Sequence, residues 1–270
     1  MCRLYGFRAT EPTKVECTLV YAQNALMVQS RADQEGRSHG HGWGVATYIN
    51  NLPQVERQAW AAYHGEHFRR AAARAYSCAV IAHVRRATIG PATVENTHPF
   101  VYGRWVFAHN GTLRAFDKIR ETMLAAMTAE HRRAIRGSTD SEHLFHLLLS
   151  LQEQHPHSSL LETLRSGLHH VLTWSRTADP EAKIGLNVLW SDGEQLVGSR
   201  WGRTLWYVER EGIHDCEICG FPHVRHHPHH HYRAVVIASE AISHEPWLAV
   251  PEHSVFSVDP EIRIHFEPLE

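Results

Sequence analysis

The chain has 270 residues, 43% of them hydrophobic and 21% charged, and its 27 Lys plus Arg against 29 Asp plus Glu leave a formal charge of −2 with histidine neutral. That balance excludes the basic footprint of a general nucleic-acid binder, and the apolar fraction excludes a disordered chain. No window reaches the ~18 consecutive apolar residues of a membrane span and the opening Met-Cys-Arg-Leu-Tyr lacks the layout of a secretory signal, so we expect a cytoplasmic protein, one domain over residues 2–270, with no nucleic-acid or membrane partner.

A short strand is predicted over residues 2–9, followed by helical character from Pro12-Thr13 to about Tyr21. Trp43–Ile49 and residues 54–60 read as a strand pair turned at Asn50-Asn51-Leu52-Pro53. The Ala- and Arg-rich stretch 66–76 is helical by propensity, and the apolar run 78–84 is a strand ending in Arg85-Arg86. Residues 105–108 form another strand, stopped by the turn His109-Asn110-Gly111. Apolar spacing of three to four at Ile119, Met123, Leu124 and Met127 predicts a helix over 116–129. Thr139-Asp140-Ser141-Glu142 fits a capping box for a second helix running on through 144–151, and 158–174 makes a third. Short strands follow at 184–191, 195–199, 204–209, 234–238, 255–258 and 263–266. Strands, helices, then strands again indicate an α+β chain with two sheets and helices outside them.

Five cysteines, Cys2, Cys17, Cys78, Cys216 and Cys219, are odd in number and unevenly spaced, which argues against a disulfide framework. Cys2 carries the most information. Aminopeptidases remove an initiator Met ahead of a small residue, and that would place a thiol and a free α-amine on one residue. With a reference pKa of ~7.7–8, the amine can accept the thiol proton near neutrality, so nucleophile and base would coincide. The plain alternative is that small residues are common at position 2.

Further polar groups follow in order along the chain: His41-Gly42-Trp43-Gly44, Ala82-His83-Val84-Arg85-Arg86-Ala87, Asn96-Thr97-His98-Pro99-Phe100, His109-Asn110-Gly111 and Ser138-Thr139-Asp140-Ser141-Glu142, with Ala238-Ser239-Glu240 much later. Taken with Cys2, this ordered set resembles the class II glutamine amidotransferases, which are N-terminal-nucleophile hydrolases, and in particular their single-domain γ-glutamyl hydrolases. The resemblance implies a four-layer αββα sandwich. It makes Cys2 the nucleophile that forms a γ-glutamyl thioester, and Asn110 and Gly111 the oxyanion hole. Arg85 corresponds to the arginine that clamps the substrate α-carboxylate, a task suited to a planar donor, and Asp140 to the aspartate that pairs with the α-ammonium. Thr97 and His98 fall in the substrate-binding group, and His83, His98 and His109 are expected to support the site through hydrogen bonds. Arg86 departs from the aromatic or small polar residue common at that place in biosynthetic members. Each position also has an ordinary explanation: Asn-Gly is a turn signature, Arg85 a surface ion pair, Asp140 a helix-dipole partner.

No GxxxxGK[ST] or GxGxxG loop occurs in the remaining sequence, so we expect the glutaminase-type domain alone. The resemblance then implies hydrolysis of a small γ-glutamyl amide, with no cofactor needed for catalysis. Two alternatives stand beside it: a glutaminase subunit that supplies ammonia to a separate synthase or ligase partner, and a non-catalytic metal-binding regulatory protein on the same scaffold.

Seven of the 24 histidines crowd one predicted insertion at about 212–232. It reads His214-Asp215-Cys216-Glu217-Ile218-Cys219-Gly220-Phe221-Pro222-His223 and continues through His226, His227, His229, His230 and His231. A C-x-x-C followed by nearby His suits a structural zinc, with Cys216, Cys219, His223 and His227 as the expected ligands. A redox-active dithiol and adventitious binding by the His tract are the competing readings.

Overall fold

The computed structural model describes residues 2–225 and 231–270. The chain opens with β1 (Arg3–Lys14), a π-helical turn (Cys17–Tyr21) and the short α1 (Leu26–Arg31). Next come β2 (Trp43–Ile49), β3 (Leu52–Gln58), α2 (His67–Arg74), β4 (Tyr76–Val84), β5 (Phe100–Tyr102) and β6 (Trp105–Leu113). Four helices follow: α3 (Phe116–Ala126), α4 (Ala129–Ala134), α5 (Asp140–Gln154) and α6 (Leu160–Ala178). The chain closes with β7 (Ile184–Ser191), β8 (Leu196–Arg200), β9 (Trp206–Glu211), β10 (Arg233–Ala238), β11 (Leu248–Ala249), β12 (Ser254–Val258) and β13 (Ile264–Pro268).

Among the described residues these strands form a seven-stranded sheet ordered β11-β9-β10-β1-β4-β2-β3 and a six-stranded sheet ordered β13-β12-β8-β7-β6-β5. All pairings between them are antiparallel. Because side chains alternate along a strand, each sheet divides its apolar residues between two faces. Leu4, Ile81, Val106, Ala108, Leu189 and Ile237 meet between the sheets. Tyr5, Phe7, Val80 and Val84 point the other way, under α1 and α2, with Trp43 and Phe68 edge to face in that layer. On the far side Phe107, Val188 and Trp190 pack beneath α3, α5 and α6, where Phe107 stacks on Phe145. The result is the αββα layering.

Several boundaries differ from the sequence reading, each for a definite reason. Residues 12–14 continue β1 instead of starting a helix, because β4 and the bridge from Thr13 to Val224 supply partners there. The β2–β3 turn is the two-residue Asn50-Asn51, both with positive φ (51° and 60°), the geometry of a tight hairpin. His109-Asn110-Gly111 is not a turn. The ladder to β7 runs unbroken from Val106 opposite Ser191 to Leu113 opposite Ile184, and Gly111 lies so close to Gly185 that a Cβ would collide with its backbone. The capping box at α5 is half made. Thr139 accepts the Glu142 N–H, but the Glu142 carboxylate takes the N–H groups of Arg136 (3.0 Å) and Gly137 (2.6 Å) instead of closing the box. A complete box occurs at α6, between Ser159 and Glu162.

Candidate active site

Cys2 lies just ahead of β1, where alternation gives it the parity of Leu4 and so of the space between the sheets. Its Sγ is buried and accepts the Arg86 N–H at 3.4 Å. Burial pushes the thiol up from its ordinary pKa, while the Arg86 N–H and the nearby Arg85 charge draw it down. The balance keeps Cys2 a neutral thiol at rest.

Arg3 holds the neighbouring backbone. Its guanidinium donates to the Cys2 carbonyl (3.0 Å), to Glu240 (2.9 Å) and to Asp33 (2.6 Å), all buried. His39 sits on the same Asp33 carboxylate at 3.0 Å. Its burial, with the Arg3 charge, lowers its pKa to about 4, so the ring is neutral and donates to Asp33. Arg3 and Asp33 were not anticipated from the sequence. A charged residue directly after the candidate nucleophile, inside an apolar strand, was the available signal.

Asn110 belongs to the other sheet. Alternation along β6 turns Asn110 inward with Val106 and Ala108 and turns His109 outward toward the helices. The Asn110 Nδ2 lies 3.2 Å from the Ser239 Oγ, which also accepts the Leu4 N–H at 2.8 Å. Ser239, directly after β10, thus ties the Asn-Gly strand of one sheet to the start of β1 in the other. The Asn110 Oδ1 is buried without a hydrogen-bond partner among the described residues. His109 bonds Ser141 of α5 through Nδ1 (2.9 Å) and the Gly185 carbonyl through Nε2 (2.8 Å).

The His83 and His98 rings pack on each other with centroids 4.2 Å apart, His98 also abuts Phe100, and neither His98 ring nitrogen has a hydrogen-bond partner among the described residues, while the His109 backbone lies beside the His83 ring. Burial holds both well below the usual histidine range, so they form a neutral wall. Thr97 is buried and its hydroxyl donates to the Thr93 carbonyl (2.7 Å), while Arg57 donates to the carbonyls of Thr97 (3.1 Å) and Pro99 (3.2 Å). This brace sets the His98-Pro99 segment, whose peptide bond is cis, against Gly44, where a Cβ would strike the His98 carbonyl.

Arg85 is buried rather than a surface ion pair. Its guanidinium donates to the carbonyls of Ile89 (2.9 Å), Gly90 (3.1 Å) and Pro91 (2.8 Å). It nonetheless stays within electrostatic reach of Cys2 and Asp140. Asp140, first residue of α5, accepts the N–H of Leu113 (2.8 Å) and of Ser141 (2.9 Å), docking the helix onto the end of β6. The fold therefore gathers Cys2, Arg85, Asn110 and Asp140 at one end of the sandwich.

The insertion lies elsewhere. Cys216, Cys219 and His223 gather with Cys17, which the sequence reading left out, and their ligand atoms all fall within 4.8 Å of one another. His227 lies outside the described residues. A cavity of about 400 Å³ adjoins this cluster, walled by Thr18, Arg210, Tyr232 and Glu245, and does not reach Cys2.

A sequence model of the glutamine amidotransferases class-II matches residues 1–261. The chain is 27% identical to "Probable glutamine amidotransferase DUG3" of Saccharomyces cerevisiae, over 96% of this chain and 82% of that one. It is 29% identical to the "Gamma-glutamyl-hercynylcysteine sulfoxide hydrolase" of Mycobacterium tuberculosis, over 78% and 81% respectively. Among solved structures, a glutamine aminotransferase class-II domain protein of Silicibacter pomeroyi superposes over the full length of both chains with a TM-score of 0.63 at 23% identity. The glutamine phosphoribosylpyrophosphate amidotransferase of B. subtilis superposes over the full length of this chain with a TM-score of 0.65 at 16% identity, and this chain spans 49% of it. These superpositions establish the amidotransferase fold.

Proposed function

This chain belongs to the class II glutamine amidotransferases, and from that premise we propose that it hydrolyses a γ-glutamyl amide through Cys2 acting as an N-terminal nucleophile. The observation that carries the reading is the Ser239 bridge, which holds Asn110 against the start of β1 while Arg3 fixes the Cys2 carbonyl. Removal of Met1 frees the Cys2 α-amine. As Sγ attacks the γ-carbonyl carbon, the amine takes the thiol proton, and the negative charge moves to the carbonyl oxygen. Asn110 Nδ2 and the Gly111 N–H stabilise that oxyanion. Ser239 Oγ, having accepted the Leu4 N–H, keeps its own hydrogen to donate. With the Asn110 amide turned over, Oδ1 accepts it and gains a partner, and Nδ2 is released for the oxyanion. Collapse breaks the C–N bond, the α-ammonium returns its proton to the departing nitrogen, and a γ-glutamyl thioester remains. Water, deprotonated by the same amine, then cleaves the thioester to γ-carboxylate and thiol.

At the α-carbon of the substrate, Arg85 has three of its five N–H donors committed to the 89–91 carbonyls, leaving two for a carboxylate. The three carbonyls hold the charged guanidinium rigid as a clamp. Asp140 receives the α-ammonium. Thr97 and His98 act as walls, since one hydroxyl is spent on Thr93 and the other ring is neutral. The γ-glutamyl hydrolase relative supports a small γ-glutamyl compound as substrate.

The test is glutamate release from glutamine and from γ-glutamyl amides of small molecules, together with the mass of the mature N-terminus. We expect a chain lacking Met1, active as purified, and inactive as Cys2→Ala. Wild-type rates in Cys2→Ala would overturn the mechanism. The part-length match to a phosphoribosylpyrophosphate amidotransferase favours a second reading, in which ammonia passes to a partner synthase. A large rise in glutaminase activity on adding that partner would distinguish it.

A further inference from the structure

We propose that Cys17, Cys216, Cys219 and His223 form a structural zinc site that staples the segment 212–225 to the far end of β1. The four donor atoms lie within 4.8 Å of one another. Tetrahedral zinc with Zn–S bonds of about 2.3 Å and Zn–N bonds of about 2.0–2.1 Å needs sulfur–sulfur separations near ~3.8 Å and sulfur–nitrogen separations near ~3.5 Å. The Cys219 Sγ to His223 Nε2 distance of 3.3 Å fits that frame.

The backbone around the cluster is shaped for thiolates. The Ile218 N–H points at the Cys216 Sγ (3.4 Å), and Gly220 carries the positive φ (74°) that turns the chain after Cys219. The Gly220 N–H returns to the Cys216 carbonyl (2.8 Å), closing a tight loop that presents both sulfurs to one point. The other two ligands are anchored to the sheet. Cys17 is buried in the π-helical turn after β1, and the His223 carbonyl accepts the Lys14 N–H at 2.9 Å.

Three sulfurs and one imidazole, with no carboxylate, select a borderline-soft cation. Four protein ligands leave no open position for water or substrate, which is the mark of a structural rather than a catalytic site. Its place agrees. The partner strand β4 runs alongside β1 from Lys14 back to Arg3, and its nine residues put the cluster on the order of 30 Å from Cys2 at about 3.3 Å per residue. The zinc would connect ligands about 200 residues apart in sequence and fix one wall of the neighbouring cavity.

Full-length protein prepared without chelator and dialysed stringently should hold about one zinc per chain, with an X-ray absorption spectrum of three sulfur ligands and one nitrogen. Cobalt substitution should give an intense thiolate charge-transfer band. Cys17→Ser and Cys219→Ser should each lower bound zinc at least tenfold while circular dichroism stays that of the folded chain. Replacing His226, His227, His229, His230 and His231 together by Ser should leave zinc in place. Zinc that vanishes with the His tract, a shell of nitrogen and oxygen only, or a zinc-free chain with free thiols or a disulfide among these cysteines would overturn the assignment. The absorption spectrum decides the matter even where a cysteine variant fails to fold.

Discussion

Strand β1 begins beside one buried cysteine and ends beside another, and their surroundings differ in kind. Among the described residues Cys2 stands apart from the clustered thiols. Its neighbours are a backbone N–H, the Arg85 cation and a carbonyl pinned by Arg3. Cys17 lies among two more thiols and an imidazole. An isolated thiol facing donors and a cation is equipped to become a nucleophile, whereas sulfurs grouped about a point are equipped to share a metal. Residue type alone does not separate them. The difference comes from what opposite ends of one strand are packed against.

Substitutions at the two ends should therefore have separable effects. The largest is Cys2→Ala, expected to reduce γ-glutamyl amide hydrolysis by more than about 10⁴-fold, as loss of a nucleophile does, with zinc content unchanged. Steady-state glutamate release and metal analysis on the same sample check both halves. Arg3→Ala should come next. It leaves Asp33 and Glu240 buried without their shared cation, which costs about 3–5 kcal/mol, and urea unfolding measures that loss. Asn110→Ala should lower kcat by about 10²–10³ while leaving the unfolding midpoint much closer to wild type than Arg3→Ala does.

Acid should act on the Cys2 end through His39. Its folded pKa of about 4 lies below the ~6.5 of an unfolded histidine, so between those values the unfolded chain binds the extra proton. Stability contributed by neutral His39 is present above pH ~6.5 and is lost as pH falls toward 4, by about 2 kcal/mol at pH 5. His39→Gln should flatten that part of the pH dependence of urea unfolding. The smallest effect is expected for Cys17→Ser on catalysis: kcat within about twofold of wild type, because the substitution lies a strand length away. A tenfold fall in kcat with the fold intact would show that the two ends are coupled.

Much of this was readable from local pattern. The strands at 43–49 and 184–191 coincide with β2 and β7, and the N-cap at Thr139 begins α5. The ordered motif set led to Cys2, Arg85, Asn110 and Asp140, which the fold gathers. What was misread depended on partners distant in sequence. Asn-Gly is a turn by propensity, and only the ladder from β7 keeps it in a strand. His83 and His98, expected from the resemblance to support the site through hydrogen bonds, pack ring on ring, a contact that no local pattern announces. Thr97, placed in the substrate-binding group by the resemblance, has its hydroxyl donated to the Thr93 carbonyl.

Local alternation and helical spacing, which need no partner to be recognised, determined from the sequence alone a mixed α and β chain with two sheets and outer helices. The four-layer order and the family came from the ordered motif set that resembles the class II amidotransferases. Tertiary structure decided which sulfurs stand alone and which stand together. It placed Arg3 on Asp33 and Glu240, bridged Asn110 to Leu4 through Ser239, and brought Cys17 to a loop about 200 residues later. Those contacts exist only after strands from both ends of the chain pair around β1, so no window of sequence contains them.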